Sequence, residues 1–286
     1  DTVTARRLAE PGVRIDAIGG VVDDLPTTLE GNTAGVAVQS LLQAQRASFG
    51  VALTIDKGVP MSSGMGGSAA SAVAATVAAN ALLERPLTKN ELLVHCVAGE
   101  AVASGSYHGD NVAPSLLGGL VLVGLGQHPT MNAVAVPTGL RCVLLHPHRN
   151  LETRAGRAIL KRDYPLPDVV AQMSRLATVL TACFTNNRAL LRGALEDVLI
   201  EPQRASQLPG FHDMKNAAVR AGAYGCSLSG SGPSLFAWCD EGDAERVAQA
   251  MTEACTASGT TSDVWVSRID APGARLVAQD SIEAAS

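Results

Sequence analysis

With 286 residues, 47% of them hydrophobic and only 17% charged, the chain carries enough apolar material for two ordinary domains with buried cores, which excludes a disordered polypeptide. A net charge of −5 supplies no basic stripe, so neither nucleic acid nor a membrane surface is an expected partner, while a small anion held by a local loop stays compatible. The longest apolar run, residues 116–125, falls far short of the roughly 18 residues a membrane helix needs, and no charged-then-apolar leader precedes it. Six scattered cysteines without a C-x-x-C pair read as buried thiols, and the whole predicts a soluble, unexported, cytoplasmic protein, or a plastid one were the source a plant. The first residue is Asp1 and not Met, which places the expected natural start upstream.

Along the chain, apolar and β-branched alternation predicts strands over 2–8, 13–18 and 51–55, with a helix over 32–45 between them, hence a mixed sheet. A helix is predicted over 69–83, ending before Pro86, and Thr88 with Glu91 forms a capping box that opens a second helix running to about 103. Strands over 120–123 and 131–136 precede Pro137-Thr138-Gly139, the expected domain boundary, dividing the chain into 1–138 and 139–286. Beyond it come a strand over 142–145, several helices, strands over 226–228 and 234–239, a helix over 244–257 and a strand over 264–269. Without the inserted helices the order is β-α-β-β-α-β, the split-βαβ or ferredoxin-like arrangement, so the fold class is α+β.

The string Pro60-Met61-Ser62-Ser63-Gly64-Met65-Gly66-Gly67-Ser68-Ala69-Ala70 carries most of the chemistry. Its glycines let the backbone turn sharply and aim successive N–H groups into one concavity, and the helix that follows adds unpaired N–H groups and its dipole. A turn that simply feeds a core helix would use the same residues. A Walker A loop is excluded because no Lys follows the glycines. A dinucleotide fingerprint fits Gly64, Gly66 and Ala69, but the strand is too far upstream and Glu84 is misplaced; a serine-nucleophile elbow lacks its last glycine.

Two further segments stand out. Tyr107-His108-Gly109-Asp110-Asn111-Val112-Ala113-Pro114 reads as a polar loop after a helix, which could equally be an Asx-type turn, and Glu100 sits in that helix's last turn, where the dipole disfavours a carboxylate. The run Gly225-Cys226-Ser227-Leu228-Ser229-Gly230-Ser231-Gly232-Pro233-Ser234 has more small residues than a hairpin turn requires. His146-Pro147-His148 lacks further ligands at metal spacing and reads as a strand end. Two glycine loops and one Asp/Asn loop favour a nucleotide-dependent kinase.

These three segments resemble the three motifs of the GHMP small-molecule kinases, and His108-Gly109-Asp110-Asn111-Val112-Ala113-Pro114 through Gly118-Gly119 is most similar to the form found in the homoserine kinases, H-x-D-N-V-A-P-x-x-x-G-G. Leu151-Glu152-Thr153-Arg154-Ala155-Gly156-Arg157 resembles the family's T-x-x-A-R segment, and Glu201-Pro202-Gln203-Arg204 with Pro209-Gly210-Phe211 its E-P-x-R and P-G-F segments. Met65 and Gly67 depart from the usual G-L-G-S-S-A loop, with the N–H groups kept. The family's A-P-A-S-x-x-N-x-x-x-G-F-D motif would end just before Asp1, so a first strand and part of the substrate site are expected upstream.

The resemblance implies an N-terminal domain like ribosomal S5 domain 2, a ferredoxin-like C-terminal domain, and transfer of the ATP γ-phosphoryl group to the hydroxyl of L-homoserine on the route to threonine. On this sequence it implies a nucleotide loop of Pro60, Ser62, Ser63, Gly64, Met65, Gly66, Gly67, Ser68, Ala69 and Ala70, with Mg²⁺ on Ser68 and Glu100. His108, Asp110, Asn111, Thr153 and Gly232 would surround the acceptor, and Arg157 and Arg204 its carboxylate. Asn111, Glu100 and Ser68 are the implied catalytic positions; Asn111 cannot take a proton at neutral pH, which leaves the work to positioning and electrostatics. A GHMP kinase acting on mevalonate or a sugar, and a relative that binds nucleotide without turnover, are the alternatives; a homodimer is compatible with either.

Overall fold

The computed structural model describes residues 1–22, 25–105, 107, 109–124, 130–149 and 159–277. Their contacts divide into two compact units. One takes Asp1–Met61, Gly66–Ala133 and the described residues from Pro272 on; the other takes Ser62–Met65 and Val134–Ala271.

In the first unit, β1 (Thr2–Leu8), β3 (Gly50–Lys57) and β2 (Val13–Gly20) lie in that order, β1 antiparallel and β2 parallel to β3. The mixed sheet matches the sequence reading. Burial alternates along the second half of β3, Leu53, Ile55 and Lys57 pointing inward while Thr54 and Asp56 are exposed. Helix α1 (Thr33–Ala44) is opened by Asn32, whose Oδ1 accepts from the N–H groups of Ala34 and Gly35. Helix α2 (Gly67–Asn80) is lined with small residues and buries Ala69, Ala72, Val73, Ala75, Thr76 and Ala79 in contact with α1, α3 and β1. The predicted span of 69–83 is shifted toward the N-terminus. Gly66 adopts φ +72 and starts the helix early, and Asn80 closes it by pairing its carboxamide with both the N–H and the C=O of Leu87 at 2.8 and 3.0 Å.

Helix α3 (Lys89–Ser104) has the expected Thr88–Glu91 capping box and ends at Gly105, φ +71. The segment read as a loop contains a short helix, α4 (Val112–Leu117), followed by β4 (Leu120–Val123) and β5 (Met131–Val134), which pair as a two-stranded ribbon. Chain from Pro272 runs beside α4: Pro272 bridges Gly118, and the Ala274 N–H donates to Ser115 O at 2.9 Å.

The second unit is built on β6 (Leu140–Pro147), β7 (Gly225–Leu228), β8 (Leu235–Asp240) and β9 (Ser262–Arg268), ordered β7-β8-β6-β9 with every neighbouring pair antiparallel. Helices α5 (Leu166–Phe184), α6 (Glu201–Arg204) and α7 (Phe211–Arg220) lie between β6 and β7, and α8 (Ala244–Ala257) between β8 and β9. That is the ferredoxin-like order predicted from the chain. Ala244, Val247, Ala248, Met251 and Cys255 form one buried stripe on α8, which packs with Phe211 and Met214 of α7 over Val143, Leu145 and Leu235. All six cysteines are free thiols and five are buried; burial raises the thiols of Cys96 and Cys239 to about 11 and that of Cys142 to about 12. Among the described residues no helix is long and apolar enough to cross a membrane.

Candidate active site

Ser62–Met65 of the glycine loop belong to the second unit, and the residues on either side to the first. In the first unit, Gly66 takes the N-cap position of α2 in the left-handed conformation, and no side chain caps the helix. The first intrahelical bond is Ala70 N–H to Gly66 O at 2.9 Å, so the N–H groups of Gly67, Ser68 and Ala69 end the helix without an intrahelical acceptor. An uncapped N-terminus on a 14-residue helix has the geometry that suits an anion, with the dipole adding to the N–H groups.

One predicted residue lies against that turn, and the helix segment holding a second is linked to it through Thr33. Asn111 stands at the N-cap position of α4 but makes no capping bond there. Its side chain lies against Gly66: a Cβ on Gly66 would sit 3.2 Å from Asn111 Oδ1. Glu100 is buried in the last turns of α3, beside Gly99, which gives α3 its close approach to α1: a Cβ there would overlap the Thr33 carbonyl oxygen and come to 2.7 Å from Ala37 Cβ. The hydroxyl of the same Thr33 donates to Ser68 O at 3.2 Å. Thr33 thus ties the α2 turn that holds Ser68 to the part of α3 that holds Glu100. Asp110 is exposed one residue before Asn111.

In the second unit, the other half of the loop meets the serine-glycine run. Gly64 has φ +77, and a Cβ on it would overlap Ser229 O and lie 2.8 Å from Gly232 O. Ser229 Oγ donates to Gly64 O at 2.9 Å, and the Ser234 N–H donates to Ser63 O at 3.2 Å. Arg204, buried at the end of α6, donates from Nη1 to Gly230 O at 2.9 Å. Its helix is held in turn by Glu201, whose carboxylate accepts from Lys215 Nζ and Ser227 Oγ. Within the second unit, Ser63 and Gly64 of the first segment therefore pack on the third segment, with Gly64 and Ser229 standing 165 residues apart in sequence.

Residues 32–119 match the GHMP kinases N terminal domain, and residues 179–257 match the GHMP kinases C terminal domain. The chain is 50% identical over 278 residues to a homoserine kinase of Xylella fastidiosa strain M12, covering 97% of this chain and 85% of that protein. The chain belongs to the GHMP kinase family, in its homoserine kinase branch. A homoserine kinase of Xanthomonas campestris pv. campestris is 49% identical over 279 residues, covering 97% and 86%. The crystal structure of homoserine kinase from Cytophaga hutchinsonii superposes with a TM-score of 0.91 at 37% identity, covering 95% of this chain and 86% of that one. The two-domain α+β fold of the GHMP kinases is thereby established for the chain.

Within this family frame, His108, Thr153 and Arg157, and the 151–157 segment as a whole, lie outside the described residues. Two polar residues beneath the loop escaped the sequence reading. One is Thr33. The other is Lys57, whose inward position follows from the Leu53, Ile55, Lys57 alternation once β3 is extended two residues past its predicted end.

Proposed function

We propose that the chain transfers the γ-phosphoryl group of ATP to the side-chain hydroxyl of L-homoserine, releasing ADP and O-phospho-L-homoserine, a step toward threonine. The observation that carries this reading is the uncapped, glycine-opened N-terminus of α2 with Asn111 against it, in a chain half identical to homoserine kinases. The N–H groups of Gly67, Ser68 and Ala69 bind phosphate oxygens, and the rest of the loop from Pro60 to Ala70 shapes their approach.

A divalent cation fits the donors present. Ser68 and Glu100 offer a hydroxyl and one buried carboxylate, and among the described residues no group of three or more His, Cys, Asp or Glu forms a dedicated cage. Mg²⁺ is characteristically held that way, by one or two carboxylates together with substrate phosphates. When bound it offsets the charge on the β- and γ-oxygens. Arg204, anchored on Gly230 O, supplies a planar fork suited to the amino-acid carboxylate. Arg157, His108 and Thr153 are assigned to the acceptor from the family resemblance, as are Asp110 and Gly232. In the reaction the acceptor oxygen bonds to the γ-phosphorus, the bond from that phosphorus to the bridging oxygen breaks with its electron pair leaving on ADP, and the hydroxyl proton passes to solvent water. Asn111 orients the acceptor and does not take the proton, because a carboxamide is not basic at neutral pH.

ADP release measured on the full chain with L-homoserine, mevalonate and galactose in parallel, with the product identified by phosphorus NMR, tests the reading. Turnover with mevalonate or galactose but not homoserine would overturn it, and so would nucleotide binding without turnover on any of the three.

A further inference from the structure

Lys57 is among the largest fully buried side chains of the protein, and its ammonium has spent all three of its donors. One goes to the Asp1 carboxylate, one to Ser71 Oγ at 2.8 Å, and one to the main-chain oxygen of Gly67 at 2.7 Å. Asp1 is equally committed: Oδ2 also accepts from Ser71 Oγ at 2.7 Å, and Oδ1 accepts from the N–H groups of Gly58 and Val59 at 3.0 and 3.2 Å. The cluster knots the start of β1, the end of β3, the chain leading into the loop and the first turn of α2.

A cation placed at a helix N-terminus works against the dipole, and a buried one needs a partner, which Asp1 supplies. The gain lies in what the third bond fixes. The Gly67 oxygen and the Ser68 N–H belong to one rigid, trans peptide plane and point in opposite directions. Holding the oxygen from below therefore aims the N–H outward from the helix end. Thr33 Oγ1 does the same for the next plane, since the Ser68 oxygen it holds shares a peptide with the Ala69 N–H. Glycine at 67 has the freedom to let that plane rotate if the oxygen is released.

We propose that Lys57 is a positioning residue of the nucleotide site, fixing the Gly67–Ser68 peptide so that the Ser68 N–H is aligned for a phosphate oxygen, with Thr33 fixing the plane that follows. This rests on the kinase reading above. The variant Lys57→Met keeps the stem and removes the ammonium; Thr33→Val removes only the second grip and is the milder change. Thr76→Val is the control, because Thr76 is a fully buried hydroxyl of the same helix that donates to Ala72 O at 2.7 Å and lies against the Cys96 thiol, well down from the loop.

Affinity for a non-hydrolysable ATP analogue is measured by calorimetry on the full chain, together with amide hydrogen exchange without nucleotide and KM for both substrates. Lys57→Met is expected to weaken the analogue about tenfold or more and Thr33→Val about threefold, the scale of a lost hydrogen bond to a charged and a neutral donor. Both should speed exchange at residues 70–72, the first amides of α2 with intrahelical acceptors, and raise KM for ATP while leaving KM for homoserine within about twofold of wild type. Thr76→Val should lose stability without losing affinity. Unchanged affinity in Thr33→Val together with Lys57→Met, or an equal loss in Thr76→Val, would overturn the proposal, and should Lys57→Met not fold, Thr33→Val against Thr76→Val decides it. Failure of the nucleotide reading is told apart by the wild-type chain, which would then bind no analogue at all, whereas a different acceptor or binding without turnover is read from the ADP-release assay and leaves the affinity comparison standing.

Discussion

Substituting Gly64 by alanine is the sharpest perturbation of the loop, because two separable penalties meet there. The first is conformational: φ is +77, and an L-residue in the left-handed region costs about 1–2 kcal/mol. The second is steric, since the new methyl group would overlap the Ser229 carbonyl and press on Gly232 O at 2.8 Å, both of them backbone atoms that cannot rotate away. Such overpacking costs about 1–3 kcal/mol, and displacing Ser229 also strains the Ser229 Oγ to Gly64 O bond, worth about 1 kcal/mol. Gly105 separates the two. It has nearly the same φ, +71, but a Cβ there meets nothing within 4 Å, so Gly105→Ala carries the conformational term alone. The entropy that alanine removes from the unfolded chain is common to both variants and cancels in the difference. Urea unfolding of the pair is therefore expected to show Gly64→Ala less stable than Gly105→Ala by about 2–4 kcal/mol. Equal losses would refute the packed arrangement of Gly64 on the 229–232 loop.

The sequence made the backbone shape of the loop legible because local conformational demands are written in local residues. Gly64 and Gly66 stand where φ is positive, Thr88 and Glu91 form the capping box they spell, and the order of strands and helices beyond 139 gives the ferredoxin-like sheet. What it obscured is of two kinds. Helix α4 was hidden by Asn111 and Pro114, which read as loop formers, although proline is tolerated in the first turn of a helix where its missing N–H is not needed. An asparagine at an N-cap that does not cap its helix is recognised only once its side chain is seen against Gly66. The other kind is long-range. Nothing in the periodicity of 60–70 or 225–234 announces that Ser229 will bond Gly64, or that Thr33 will bridge Ser68 and the Gly99 turn, because such pairings are decided by how finished elements pack.

Three further outcomes follow from the site and its surroundings. Glu100→Gln should lower kcat about 10²-fold or more with little change in thermal midpoint, the size seen when a charge-stabilising group is removed; normal kcat at saturating Mg²⁺ would end its assignment to the metal. Arg204→Lys should raise KM for homoserine far more than KM for ATP, and an equal rise in both would show that Arg204 serves the loop through Gly230 and not the carboxylate. The last concerns acid stability. His95 and His146 are buried, each with Nδ1 against a serine hydroxyl, Ser40 at 2.8 Å and Ser234 at 3.0 Å. Burial holds both imidazoles below the ordinary value of 6.5; at His146 the neighbouring His148 adds to this and Asp263 partly opposes it. In the unfolded chain both bind protons near pH 6.5, whereas in the fold they resist until the pH is lower, so between those limits the unfolded state holds more protons. Stability is then complete above pH 6.5 and falls as the pH drops through that window, by at most about 1.4 kcal/mol per pH unit for each histidine. Urea midpoints of the wild type and of His95→Asn with His146→Asn, followed from pH 7.5 to pH 5, should diverge, the wild type losing the more. Parallel profiles would mean that these imidazoles titrate alike folded and unfolded, and the acid-side loss would then have to be sought among the carboxylates.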